Sequence, residues 1–283
     1  MILVNEEIVD SVAVNRIALD LGFVQIYWYS IMILIAVLIG TTVVYLEAKK
    51  HKMNLDDFTD LFFCTIFFGL IGARLYYVIF NLDYYLSNKL EILQVWNGGL
   101  AIHGGIIGGA LYLLNFCKKR KYNMLKLLDM MVVGLIIAQS IGRWGNFFNQ
   151  EAFGPAVTLK ELQDCMIPNF IINRMKIYGV YHEPTFYYES LWSLNGFIIL
   201  NIVRRFKKIK VGTITGFYCI YYSIGRLYIE SLRMDSLMIG PFKQAQIISI
   251  LLIGLGLFLI IRNIKQKDRE LYHNMHNLKR EEI

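Results

Sequence analysis

The chain has 283 residues, 56% of them hydrophobic and only 18% charged, with a mean hydropathy of +0.45. Soluble domains carry about 25% charged residues, so this composition excludes an ordinary soluble protein and predicts a polytopic membrane protein. The formal charge of +7 comes mostly from short basic loops, which makes nucleic acid a poor partner.

In chain order, Met1–Asp20 contains Glu6, Glu7 and Asp10 and lacks a basic n-region. It does not resemble a cleavable signal peptide, and the first apolar run is expected to insert the chain. A spanning helix needs about 20 mostly apolar residues. Seven runs approach that length: Tyr27–Leu46, Phe58–Phe80, Leu100–Cys117, Leu127–Ile141, Phe186–Val203, Thr213–Ile229 and Ala245–Ile261. The expected fold class is all-α and polytopic, with about seven transmembrane helices in a single membrane domain, 1–283.

The segments after the first, third, fifth and seventh runs hold 19 of the 29 basic residues. If the helices alternate in direction, all four segments lie on one side, and an excess of Lys and Arg marks the cytoplasmic side. The N-terminus is then outside and the C-terminus inside. Segment 143–185 includes a small extracytoplasmic head, and 262–283 is a cytoplasmic tail with mixed charges at helical spacing. Cys64, Cys117, Cys165 and Cys219 form no Cys-x-x-Cys pair, and three of them lie in apolar runs. Neither a disulfide nor zinc is expected.

Ionisable residues at a membrane boundary are costly and are functional candidates. The densest group is Gly142-Arg143-Trp144-Gly145-Asn146-Phe147-Phe148-Asn149-Gln150-Glu151-Ala152-Phe153-Gly154. A guanidinium offers a planar fork of donors that suits phosphate, and the glycines permit positive φ or close backbone approach. From composition alone, a re-entrant turn with capping asparagines fits equally well. His103 stands among Gly98, Gly99, Gly104, Gly105, Gly108 and Gly109, and the pairs Gly104/Gly108 and Gly105/Gly109 allow close helix packing. It is either a proton acceptor near neutral pH or a hydrogen-bonded structural residue. Tyr222, Arg226, Glu230 and Arg233 are spaced to share one helical face, as a site or as a structural ion pair. Arg74 interrupts an apolar run.

Several of these strings resemble those of the prolipoprotein diacylglyceryl transferases. The stretch 142–154 fits Gly-Arg-x-Gly-Asn-aromatic-apolar-Asn-x-Glu-x-x-Gly. His103-Gly104-Gly105 fits His-Gly-Gly, and Gly225–Arg233 is similar to Gly-Arg-Phe-x-x-Glu-x-x-Arg with Leu227 in place of Phe. Trp28-Tyr29-Ser30 resembles Trp-Tyr-Gly, and Gly72–Tyr77 resembles Gly-x-Arg-x-Gly-Tyr with Tyr76 in place of Gly. His182–Glu189 resembles His-Pro-Thr-x-x-Tyr-Glu. There Glu183 stands directly before Pro184, which leaves His182 out of register and without a role, while Glu189 matches.

The resemblance implies transfer of the diacylglyceryl group of phosphatidylglycerol, in the outer leaflet of a bacterial plasma membrane, to the lipobox cysteine of a prolipoprotein signal peptide. Glycerol phosphate leaves, and no cofactor or metal is required. It implies catalytic roles for Arg143, Arg226, His103 and Tyr29. It implies substrate binding by Arg143, Asn146, Glu151, Gly154, Arg226, Glu230, Arg233 and Arg74. His103 is the candidate base for the thiol, Asn146 could fix the headgroup and Glu151 could orient an arginine. Two other classes remain compatible with the bare residues: a transporter or channel for an anionic solute, and a non-catalytic lipid-binding or assembly protein. The first predicts an inverted repeat, which the sequence does not display.

Overall fold

The computed structural model describes residues 16–22, 25–234, 236, 238–266, 268–274 and 278. Glu6, Glu7 and Asp10, and with them the expectations about a signal peptide and the N-terminal side, lie outside the described residues, as do Lys267, Lys279 and Arg280.

A hairpin of β1 (Ile17–Asp20) and β2 (Gln25–Tyr27) leads into α1 (Trp28–Lys50). The next helix, α2 (Leu55–Phe80), begins at Asn54, whose side chain accepts the Asp56 amide, and Asp56 and Asp57 suit the positive helix start. After α3 (Leu82–Ser87) and two 3-10 turns come α4 (Ile102–Lys119) and α5 (Met124–Asn149). Segment 150–184 folds as β3 (Ala156–Val157), α6 (Leu159–Asp164), α7 (Asn169–Arg174), β4 (Lys176–Ile177) and β5 (Val180–His182), with β5 between β3 and β4. Then follow α8 (Thr185–Val203), α9 (Thr213–Leu232), the hairpin of β6 (Met238–Ile239) and β7 (Phe242–Lys243), and α10 (Gln244–Lys265).

Each expected apolar run falls on one of the long helices α1, α2, α4, α5, α8, α9 and α10, with only Tyr27, Leu100 and Ala101 ahead of their helix starts. Four of these, α1, α2, α5 and α10, are long and apolar enough to cross a membrane. The runs Leu127–Ile141 and Thr213–Ile229 extend into 26-residue and 20-residue helices. Their polar motifs remain helical because the charges find partners, as described below. Among the described residues of the tail, α10 ends at Lys265 and a 3-10 turn follows at Tyr272–Asn274. Lys210 Nζ donates to the carbonyls of Asn263 and Gln266, each at 2.7 Å, and Tyr272, fully buried, donates its amide to Ile209 at 2.7 Å.

By its internal contacts the chain forms two compact units. One takes the described residues of 1–43 and 131–273. Its segment 150–184, together with Phe186 of α8, has an apolar core of Leu162, Ile167, Ile171, Ile172, Met175, Ile177 and Phe186, on which Trp144 and Phe147 of α5 pack. Within this unit α9 and α10 meet at Gly216 and Gly256, where an added Cβ on Gly256 would lie 2.7 Å from the Gly216 carbonyl. The other unit takes the described residues of 44–130 and 274–283. There α2 and α4 pack backbone to backbone, and a Cβ on Gly72, Gly104 or Gly108 would strike an opposing carbonyl. This is the close approach expected of small residues four apart.

Candidate active site

Two serines set the register of α5 on α8. Ser140 Oγ donates to the Ser190 carbonyl at 2.8 Å and Ser190 Oγ to the Ser140 carbonyl at 2.9 Å, while Trp144 Nε1 donates to Ser190 Oγ at 3.1 Å. This clasp brings Arg143 to Glu189, which pair through Nε and Oε2. On the other side of α8, Trp192 stacks on Tyr221 with centroids 4.6 Å apart. Trp192 Nε1 donates to the Tyr221 carbonyl and the Tyr221 hydroxyl donates to the Trp192 carbonyl, at 3.0 and 3.1 Å. Gly225 admits the indole, since a Cβ there would collide with Trp192. Arg226, the next residue, reaches Glu189 Oε1 through Nη1 and Glu230 Oε2 at 2.7 Å through Nη2.

The result is a chain of alternating charge: Arg143, Glu189, Arg226, Glu230. Two cations meet two carboxylates, so its formal charge sums to zero. Glu189 and Glu230 are buried, whereas the Arg143 side chain keeps 24% of its surface exposed. Arg143 is engaged through Nε alone, and its terminal nitrogens bond nothing among the described residues. Both terminal nitrogens of Arg226 are occupied. The space between these side chains and Gln139, Trp192 and Tyr222 is about 10 Å³, room for about one water molecule. Any ligand larger than a water therefore needs these side chains to part, and Arg143 offers the open donor edge.

Beyond Arg143, α5 ends in a tightly pinned turn. Asn146 and Asn149 both donate side-chain amides to Glu151 Oε1, at 3.0 and 3.3 Å. The positive φ values fall on Gln150 (52°) and Ala152 (58°). Among the motif glycines the structure selects close approach: a Cβ on Gly145 would lie 2.7 Å from the Tyr29 ring, and one on Gly154 would lie 2.9 Å from Glu183 Cβ. Thr185 Oγ1 holds the Ala152 carbonyl, and the Gly154 amide donates to Glu183 at 2.9 Å. His182 Nδ1 lies 3.0 Å from the Gly154 carbonyl, which makes it part of this turn. Burial, and then the charge of Glu161, push the Glu183 carboxyl above its ordinary value. Arg174 of α7 donates to the carbonyls of Phe147 and Phe148, and its desolvation, then Arg16, pull its pKa down.

Tyr29, in the first turn of α1, lies against Gly145, and Trp28 stacks on Phe148 at 5.1 Å. Arg233 leaves the expected helical face. Helix α9 ends at Leu232, and Arg233 has extended backbone. In the second unit, buried Arg74 donates to the carbonyls of Ile92 (2.9 Å), Gly98 (2.7 Å), Gly99 (2.9 Å) and Glu91. Its fork is spent on folding the α3–α4 connection. His103 stands in the first turn of α4, its ring 6.1 Å from that of Tyr76.

Glu189 is the central residue that the sequence-based site lacked. Its signals were its match to the His-Pro-Thr-x-x-Tyr-Glu string and its place as a lone acid in an otherwise apolar helix. Ser140, Ser190 and Arg174 carried no comparable signal.

A family model described as prolipoprotein diacylglyceryl transferase matches residues 16–262. A Listeria innocua protein is 46% identical over 252 residues, covering 89% of this chain and 91% of its own. A Streptococcus pneumoniae protein is 44% identical over 254 residues, covering 89% and 95%, and one from Staphylococcus xylosus is 42% identical over 256 residues, covering 90% and 91%. All three carry the name phosphatidylglycerol–prolipoprotein diacylglyceryl transferase. With a match that takes in both arginines and the turn beyond α5, the chain belongs to the prolipoprotein diacylglyceryl transferase family.

Proposed function

We propose that this protein transfers the diacylglyceryl group of phosphatidylglycerol to the lipobox cysteine of a prolipoprotein signal peptide, the first step of bacterial lipoprotein maturation. The thiol sulfur forms a bond to the glycerol carbon of the donor, the C–O bond to phosphate breaks, glycerol phosphate departs, and the thiol proton passes to a base. The observation that carries the assignment is the pairing of Arg143 and Arg226 through Glu189.

Negative charge grows on the phosphate as the C–O bond breaks. Fixed guanidinium donors stabilise it, more strongly in a site that excludes water. Arg143 presents its terminal nitrogens first, and Arg226 joins as its carboxylate contacts exchange for phosphate oxygens. Asn146, held by Glu151 together with Asn149, offers amide hydrogens to the headgroup, and Tyr29 and Gly154 shape that end of α5. Glu230 steadies Arg226. Arg233 and Arg74 act on substrate only indirectly, through the end of α9 and the α3–α4 connection. The nucleophile must be a thiolate, whose free pKa is about 8.5, and His103 is the candidate acceptor of its proton.

The seven long helices span a bacterial plasma membrane, with the basic segments cytoplasmic, the N-terminus and the head within 143–185 outside, and the 262–283 tail inside. The donor lipid and the signal peptide then meet the enzyme at the outer leaflet. Mass spectrometry of a lipobox peptide incubated with the purified protein and phosphatidylglycerol tests this function. A thioether-linked diacylglyceryl adduct is expected. No adduct, or flux of an anionic solute through the protein in liposomes without one, would reject it.

A further inference from the structure

Both arginine-bearing helices stop the same distance past the arginine. Arg143 lies six residues before Asn149, the last of α5, and Arg226 six before Leu232, the last of α9. That is about 9 Å along each axis. A helix C-terminus leaves carbonyls without intrahelical partners and carries roughly half a negative charge. Two such ends near the arginines would oppose an anionic headgroup.

Each end is met by a cation from another segment. Arg174 donates Nη2 to the Phe148 carbonyl at 3.0 Å and Nε to that of Phe147 at 3.4 Å, with its guanidinium 5.3 Å over the Phe147 ring. Its own carbonyl receives Gln150 Nε2 at 2.6 Å. Lys243 donates Nζ to the carbonyls of Glu230 (2.7 Å), Arg233 (2.9 Å) and Ser231 (3.3 Å). Neither cation has a carboxylate partner among the described residues. The Arg143–Glu189–Arg226–Glu230 chain is formally neutral, so excess positive charge beside it has to come from elsewhere, and these two caps supply it.

We infer that Arg174 and Lys243 are positioning residues for phosphate binding. They cancel the negative ends of α5 and α9 and fix those ends, so that Arg143 and Arg226 can hold an anionic lipid headgroup. This rests on the function proposed above.

The test uses the full chain with phosphatidylglycerol and a lipobox peptide. R174Q and K243Q keep a hydrogen-bond donor and lose the charge, whereas R174K and K243R keep the charge. Each neutral variant should raise KM for phosphatidylglycerol about 3–10-fold, with kcat and the peptide KM within about twofold, and the double variant should multiply the two effects. The charge-keeping variants should restore most of the affinity. An unchanged lipid KM in the double variant would overturn the inference. So would a joint loss of kcat and Tm with a rise in both KM values that R174K and K243R do not rescue, which would mark a purely structural clamp. If R174Q does not fold, K243Q and K243R alone decide the matter. Absence of transfer by the unsubstituted protein would reject the function itself, which is a separate failure.

Discussion

Glu189 holds Arg143 with one carboxylate oxygen and Arg226 with the other. One acid on α8 thus aligns two cations that lie 83 residues apart in the chain. Glu189→Gln keeps the shape and removes the charge that orients both guanidinium groups. Turnover is expected to fall about 100-fold, the order seen when one preorganised donor is lost. Glu230→Gln, which touches Arg226 alone, should cost less. Steady-state thioether formation by the two variants checks the order, and equal losses would contradict the central place of Glu189.

Gly225 is the second sensitive point. A methyl group there collides with Trp192 and pushes α8 from α9, separating Glu189 from Arg226. Gly225→Ala should lose about 1–3 kcal/mol of stability, the usual cost of overpacking, together with most activity. Gly254→Ala on α10 meets nothing within 4 Å and should be silent in both assays. Thermal unfolding in detergent, run beside turnover, measures the contrast.

If His103 takes the thiol proton, His103→Asn should slow transfer at neutral pH. Near-normal thioether formation at neutral pH would leave His103 as a packing residue of the α2–α4 contact.

The raised pKa of Glu183 makes a prediction about stability. Burial, then Glu161, favour its neutral form in the folded protein. The folded state therefore binds this proton more tightly than the unfolded chain does. The stabilisation is complete below the ordinary carboxylate value and is lost as pH rises through the raised one. Glu183→Gln should match the parent near pH 4 and exceed it in Tm near pH 7. A variant that is less stable at neutral pH would show an unrecorded partner for this carboxyl.

The helices were legible in the sequence because apolar length is a local property. The turn beyond α5 was legible as a cluster of costly polar residues, though its fold was not: Gln150 and Ala152, not the glycines, carry the positive φ. The pairing of Arg226 with Glu230 followed from helical spacing. Glu189 did not, because its two partners come from helices on either side and no spacing rule spans them. Arg74 shows the converse. A buried arginine read as a lipid ligand spends its donors on four backbone carbonyls, a use that no side-chain pattern announces. Arg233 missed its expected face because α9 ends one residue earlier, with Lys243 bonded to its last carbonyls.

The reciprocal bonds of Ser140 and Ser190 run from hydroxyl to main-chain oxygen, so they are indifferent to proton and salt concentration. Alignment of α5 with α8 therefore rests on neutral ties, while the arginines are held by ionic ones. Glu189 can release a guanidinium to an incoming anion without loosening the two helices. The charges of the arginine–glutamate chain are free to change partners on a frame that does not move with them.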